Sequence, residues 1–254
     1  MTKSAIILCG GKGTRLGALG KKNAKAMVKI LNKEILWYII QVLKKKGFRN
    51  IILPLGYKAN QIDKFLKKHK NFGINIKSIQ TGLNTRIGKR LAIVIKEIKD
   101  ENFLLLNGDA IFDFNINEVI KEHKKRNSAI TFMSTEITYQ FGTVGVVNDK
   151  VLDFKRDLIY ESLKVRDKRK YTAYNYSGIS LINTNEFLKF KRNCLKAKNF
   201  EMEIYPKLIK KKAMMKNIVG FWHSIDNLKD LEALNRNKKK LNYIKTLKKL
   251  KHEK

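Results

Sequence analysis

The sequence predicts an α/β fold, with a mostly parallel, mixed sheet covered by helices on both faces. Three observations carry the prediction. Short apolar runs of strand length, over residues 4–8, 50–55 and 103–106, read as buried parallel strands. Segments with apolar residues at helical spacing, over 33–43, 61–70 and 89–98, alternate with strands and leave room for crossover connections. The first apolar run passes directly into a glycine cluster, Gly10, Gly11 and Gly13, as a strand feeding a ligand loop does.

The remaining elements follow the same logic. Gly47 lies just past the helix over 33–43 as a stop signal. Residues 74–79 alternate as a strand, 116–124 are helical and 128–133 form another strand. After residue 135 the rhythm changes, and 142–147, 151–154 and 177–182 read as shorter strands of a mixed or antiparallel portion. A helix over 200–210, a last strand over 214–219 and a helical stretch from 227 complete the chain. No Pro/Gly/Ser linker or internal repeat divides it, so one domain is expected over 1–235. A basic helical tail follows over 236–254. In that tail Leu241, Ile244 and Leu247 share one helical face, which favours packing or homo-oligomerisation over contact with anionic lipid. Residues 164–170 read as a surface loop.

Bulk composition narrows the class. No apolar run approaches the ~18 residues of a membrane span, and the first eight residues are too short for a signal peptide, so stable membrane insertion is not expected and the cytoplasm is. Cys9 and Cys194 form no metal-ligating spacing and read as free thiols. The net charge of +33 comes from 55 Lys+Arg against 22 Asp+Glu. Two readings fit it: a lysine-rich genome bias on solvated faces, or a general attraction for polyanions. A nucleic-acid binder predicts clustered cations with interleaved aromatics, a helix-turn-helix or a zinc pattern. None is visible apart from the C-terminal run, so no nucleic-acid partner is expected.

The chemistry concentrates in a few places. Residues 5–16 run from strand into a loop whose glycines let successive backbone N–H groups face an anion, with Lys12, Thr14 and Arg15 beside them. It is neither a dinucleotide fingerprint, because Leu16 stands where the third glycine would be, nor an ATPase phosphate loop, because no Gly-Lys-Ser/Thr occurs. Asp109, in Asn107-Gly108-Asp109, follows a buried strand at its carboxyl end, where open α/β sheets place ligands; a plain turn residue is the alternative. Asp226 is a second acidic candidate, with a helix N-cap as its alternative.

The loop resembles the GGxGTRL signature of sugar-1-phosphate nucleotidyltransferases, and the likeness extends over about residues 4–235. Lys25-Ala26-Met27 is similar to the family's Lys-Pro-Met. The segment over 32–40, Gly56-Tyr57-Lys58, and Thr81-Gly82 followed by Gly88-Lys89-Arg90-Leu91 resemble the glucose-1-phosphate cytidylyltransferase branch. Phe141-Gly142 and Gly220-Phe221-Trp222 with Asp226 resemble later signatures. The resemblance implies the nucleotide-diphospho-sugar transferase fold, a Rossmann-like mixed sheet. It also implies transfer of a nucleoside monophosphate from a nucleoside triphosphate, CTP in this branch, to a small phosphorylated acceptor, with Mg2+ as cofactor.

By that resemblance Asp109 and Asp226 hold the metal, Arg15 stabilises the departing phosphates, and Lys25 holds the α-phosphate or the entering phosphate. Leu8, Gly10, Gly11, Gly13, Thr14 and Gly108 border the nucleotide. Thr81, Gly82 and Arg90 face the base, and the donors of an arginine suit the acceptors of cytosine; a surface helix position is the alternative for Arg90.

The acceptor half departs from the family. Where the family has Glu-Lys-Pro, this chain reads Asp153-Phe154-Lys155-Arg156, so Lys155 or Arg156 is the candidate phosphate grip. Asn175-Tyr176-Ser177-Gly178 replaces Asn-Gly-Gly, and Glu203 matches an acidic position facing the acceptor. The branch includes cytidylyltransferases that act on phosphoglutamine for capsule phosphoramidate synthesis. The departures favour that acceptor, with a sugar-1-phosphate as the alternative; a non-catalytic polyanion-binding protein is a remote reading, and a catalytically dead homologue a further rival against which Arg15, Lys25, Asp109 and Asp226 argue.

Overall fold

The computed structural model describes residues 3–11, 13–139, 143–156, 158–160, 162–164 and 172–236. Lys12, Phe141, Gly142, most of the loop over 164–170 and the tail from 237 lie outside them.

Among the described residues seven strands form the central sheet: β1 (Lys3–Leu8), β2 (Phe48–Leu55), β3 (Asn75–Gln80), β4 (Asn102–Asn107), β6 (Ile130–Ser134), β9 (Tyr176–Asn183) and β10 (Ala213–Asn217). Their order is β10-β6-β9-β4-β1-β2-β3. Every neighbouring pair is parallel except the two that involve β9, which runs against both β4 and β6. The mostly parallel mixed sheet expected from the sequence is therefore present, with β9 as its reversed strand.

The continuous apolar runs follow from burial on both faces. Along β1, Ala5 and Ile7 enter one core while Ile6 enters the other. The first core is closed by α2 (Ile35–Lys45), α3 (Ala59–Lys68), α5 (Ile116–Lys125) and Leu234 of α9 (Leu228–Arg236). The second is closed by α4 (Ile87–Val94), α6 (Thr184–Leu188), α7 (Lys191–Lys196) and α8 (Phe200–Ile209). Both cysteines are free and buried.

Two local readings shift. The helix expected over 33–43 begins at Ile35, because Lys33–Glu34 pairs back on Lys29–Ile30 around Leu31 and Asn32, both at positive φ. The segment β5 (Ala110–Phe114), not anticipated, pairs antiparallel with β11 (Gly220–Ser224). Its partner is distant in sequence, so no local pattern announces the ribbon. The strands β7 (Thr143–Val147) and β8 (Lys150–Lys155) form a separate antiparallel hairpin with exposed Val144, Leu152 and Phe154.

Candidate active site

The glycine loop leaves β1 at the centre of the sheet's carboxyl edge. Gly13 lies at φ 62°, and its carbonyl accepts the Leu16 amide at 3.0 Å, closing the short turn Thr14–Leu16. A Cβ on Gly20, in α1 (Gly17–Lys22), would stand 2.1 Å from the Gly13 carbonyl oxygen, so that helix packs on the loop as only glycine permits. The Gly108 amide donates to the Leu8 carbonyl at 3.1 Å, joining the ends of β4 and β1 and placing Asp109 beside the loop.

Asp109 immediately precedes β5 and Asp226 follows β11. Pairing of those two strands, with the Ile225 amide donating to the Asp109 carbonyl at 2.9 Å, brings the carboxylates together. Asn227 and Asp230 form a reciprocal cap on α9: Asp230 donates its amide to Asn227 Oδ1 at 3.1 Å and accepts the Asn227 amide at 3.0 Å. The same Asp230 carboxylate accepts the Asp226 amide at 2.8 Å, which fixes the Asp226 backbone. Asp230 escaped the sequence reading, although Asn-x-x-Asp is a visible capping pattern.

Lys25, in the turn Lys25–Met27, sends its Nζ between the carboxylates, 2.7 Å from Asp109 Oδ2 and 3.1 Å from Asp226 Oδ1. Arg15 reaches Asp226 Oδ1 at 3.2 Å from an exposed position. Burial alone would raise the Asp226 carboxyl; hydrogen bonding and charge from Lys25, a Ser224 hydrogen bond and the Arg15 charge outweigh it and leave it below the usual carboxylate value. One cation thus touches both carboxylates, as a divalent ion in their grasp would. Among the described residues no third acid, His or Cys joins them. Two carboxylates with phosphate oxygens and water completing the shell suit Mg2+.

Arg90 is buried, not on the helix surface, at 5% exposure. Its Nε donates to Thr85 O at 2.9 Å, Nη1 to Leu55 O at 2.8 Å and to Thr81 Oγ1, and Nη2 to Gly10 O at 3.3 Å and Leu83 O at 3.4 Å. One guanidinium ties together the loops that leave β1, β2 and β3. The two Nη2 bonds are long, so that nitrogen is the donor most readily turned to a ligand. Thr81 is buried against Leu55 O, and Gly82 follows it at φ 96°.

A cleft of about 1050 Å³ opens from Arg15, Asp109 and Asp226 toward the β4-to-β10 side of the sheet, and Asn107, Asn175, Tyr176 and Gly178 line it. Its acids are Asp109, Glu136, Glu201, Asp226 and Asp230, against Arg15 as the one Lys or Arg among its described lining residues. That bias stands out in a chain of net charge +33. Tyr176 bonds Tyr205 hydroxyl to hydroxyl at 2.8 Å, and burial pushes its pKa up to about 12, so the phenol stays neutral.

Three expected acceptor residues stand apart from this cleft. Lys155 and Arg156 are exposed on and after β8, with Lys155 Nζ held 2.9 Å from Asp153 Oδ2. Glu203 turns back to accept the Asn199 amide at 2.7 Å, while Asn199 caps α8 through the Met202 amide, so its carboxylate serves the helix start. Glu201, two residues earlier, lines the cleft instead. The helical periodicity that could have separated the two is obscured at a first turn.

A glycine loop, cations beside it and two converging carboxylates at the carboxyl edge of an α/β sheet define an enzyme that handles phosphorylated nucleotides. The chain belongs to the nucleotidyl transferase family, whose profile, described as Nucleotidyl transferase, matches residues 4–155. It is 26% identical to a probable glucose-1-phosphate cytidylyltransferase of Bacillus subtilis (strain 168), over 91% of this chain and 94% of that one. It is 28% identical to a probable mannose-1-phosphate guanylyltransferase 2 of Oryza sativa subsp. japonica, over 89% of this chain but 62% of that longer protein. Among solved structures, a putative glucose-1-phosphate thymidylyltransferase from Bacillus anthracis shares the fold at TM-score 0.71 and 17% identity, covering 95% of this chain and 97% of that one. HddC from Yersinia pseudotuberculosis, complexed with GMP-PN, does so at 0.65 and 21%, covering 94% and 100%. No helix among the described residues is long and apolar enough to cross a membrane.

Proposed function

We propose that this nucleotidyltransferase is a cytoplasmic cytidylyltransferase that moves CMP from CTP to a small phosphorylated acceptor and releases pyrophosphate. The observation that carries the reading is the convergence of Lys25, Asp109, Asp226 and Arg15 at the mouth of the cleft, beside the glycine loop. The glycine loop and the Arg90-tied turns at β1 to β3 would hold the nucleotide, and the cleft over β4 to β10 the acceptor. An acceptor phosphate oxygen attacks the α-phosphorus. The new P–O bond forms as the bond to the β-phosphate bridge breaks, and pyrophosphate carries the electron pair away. Lys25 would orient the α-phosphate or the entering phosphate, and Arg15 would offset charge on the departing pyrophosphate. A magnesium ion held by Asp109 and Asp226 would supply charge neutralisation on the phosphate oxygens.

The acidic lining favours an acceptor that carries an amino group, because the exposed carboxylates of Glu136 and Glu201 would attract a cation across the cleft. Glu201 and Glu136 would receive that group, and Asn175 and Asn107 would bond its polar neighbours. Phosphoglutamine, giving CDP-glutamine for capsule phosphoramidate synthesis, fits this chemistry best. A sugar-1-phosphate is the second reading, favoured by the name of the Bacillus subtilis relative, which aligns along nearly its whole length.

The test is pyrophosphate release from each nucleoside triphosphate with magnesium, against phosphoglutamine and several sugar-1-phosphates. Turnover with CTP and phosphoglutamine is expected. Turnover with CTP and only a sugar-1-phosphate moves the assignment to the second reading, and turnover only with another nucleotide overturns the cytidylyl assignment.

A further inference from the structure

The Lys25 ammonium sits where a metal ion held by the proposed ligands would sit. It bonds one oxygen of each carboxylate at 2.7 and 3.1 Å, from a side chain only 15% exposed. Arg15 takes the same Asp226 oxygen at 3.2 Å, so two cations and two carboxylates form a cluster with no net charge. We infer that Lys25 is an internal counter-cation that holds Asp109 and Asp226 together without nucleotide and must leave them before a divalent ion binds, so that Lys25 sets the metal affinity of the free enzyme. This rests on the proposed role of Asp109 and Asp226 as metal ligands.

The physical case has two parts. The ammonium donates into lone pairs that a divalent ion needs, so the two compete for the same oxygens. A divalent ion added beside both Lys25 and Arg15 would also meet uncompensated positive charge. A nucleoside triphosphate reverses this balance. Its phosphates give Lys25 a new anionic partner and free the carboxylate oxygens, so metal and nucleotide bind together. The local structure permits the exchange. The Val28 amide bonds the Lys25 carbonyl at 3.1 Å, which anchors the backbone while the flexible four-carbon stem can swing. A Cβ on Gly13 would lie 3.2 Å from Lys25 Cβ, so the side chain rises directly against the glycine loop, where phosphates would rest.

Mn2+ binding, measured by electron paramagnetic resonance without nucleotide, tests the inference on the wild-type protein, Lys25→Met and Asp109→Asn. Lys25→Met is expected to bind Mn2+ about tenfold more tightly than wild type, as removal of one nearby like charge allows, and Asp109→Asn to lose binding. A non-hydrolysable CTP analogue should tighten Mn2+ binding in wild type and do so much less in Lys25→Met. If Lys25→Met binds Mn2+ equally or more weakly while Asp109→Asn abolishes binding, the counter-cation role is overturned and the metal site survives. If Mn2+ binding is indifferent to Asp109, the metal-site reading itself fails. Lys25→Gln, which keeps a polar side chain, replaces Lys25→Met should near-ultraviolet dichroism show the latter misfolded.

Discussion

The amide of Ile225 donates to the carbonyl of Asp109 at 2.9 Å, so the backbone that carries one carboxylate is bonded to the residue that carries the other. The carboxylates are thereby preorganised by the β5–β11 ribbon. Asp109→Asn and Asp226→Asn should each lower kcat by roughly 10²-fold or more, because each removes a full charge from the proposed phosphate-handling site. Neither should lower the melting temperature much, since the ribbon bonds are main-chain. Steady-state pyrophosphate release beside thermal melts checks this; a variant that keeps its kcat rules that carboxylate out of the chemistry.

The same ribbon offers a test without touching charge. Gly220 lies at φ 144°, and a Cβ there would stand 2.4 Å from the Asp113 carbonyl oxygen. Gly220→Ala must therefore strain or unzip the start of β11, at a cost of ~2 kcal/mol. Urea unfolding should show that loss, and kcat should fall with it because Asp226 follows the displaced strand. An unaltered midpoint would show that the ribbon is not the element that positions Asp226.

At the other end of the site, Arg90→Lys keeps the charge but replaces a planar fork of five N–H donors by three on one nitrogen. The loops after β1, β2 and β3 lose their common tie. Affinity for CTP, measured by calorimetric titration, should fall about tenfold, the worth of one bond to a charged group, and the proposed preference for CTP over UTP should narrow. Undiminished affinity would make the tie dispensable.

Substitutions at Glu201 and Glu203 would separate the proposed acceptor contact from helix capping. Glu201→Gln should raise the acceptor KM roughly tenfold, the size of one hydrogen bond to a charged group, and leave the KM for CTP unchanged. Glu203→Ala should cost stability of about 1 kcal/mol or less through the lost cap with both KM values intact. The reverse pattern would return the acceptor role to Glu203.

What the sequence disclosed and what it hid have physical reasons. β1, β2 and β4 are buried on both faces, and their uninterrupted apolar runs announce them. Asp109 and the glycine loop lie next to such strands, so their place at the carboxyl edge was legible. The β5–β11 ribbon was not, because its register depends on a contact between distant segments. Arg90 looked like a solvated helix residue as readily as a ligand group, and only the meeting of three loops shows it buried. Glu203 matched a family position, yet one turn of helix decides which of two nearby glutamates faces the cleft, and the cap bond to Asn199 claims it.

A pH dependence of stability follows from a residue outside the site. His123 is 1% exposed, with Nδ1 2.7 Å from Thr131 Oγ1 and Nε2 2.9 Å from Asn102 Oδ1. Burial, opposed weakly by Glu101 and helped by Lys124, lowers its pKa from 6.5 to about 4. The imidazole is thus neutral in the folded protein wherever it would be charged in the unfolded chain between those values. In that window the unfolded state binds the extra proton, so stability rises with pH. The contribution is fully present above pH 6.5 and is lost progressively as pH falls toward about 4, a loss of up to ~3 kcal/mol. Urea midpoints at pH 7.5 and pH 5 should show wild type falling steeply. His123→Gln, less stable at pH 7.5, should fall less, with the remaining slope coming from His69 and His223, whose pKa values burial also lowers. Parallel slopes for the two proteins would mean that His123 is already protonated in the native state at pH 5, and that Asn102 and Thr131 stabilise the imidazolium despite its burial.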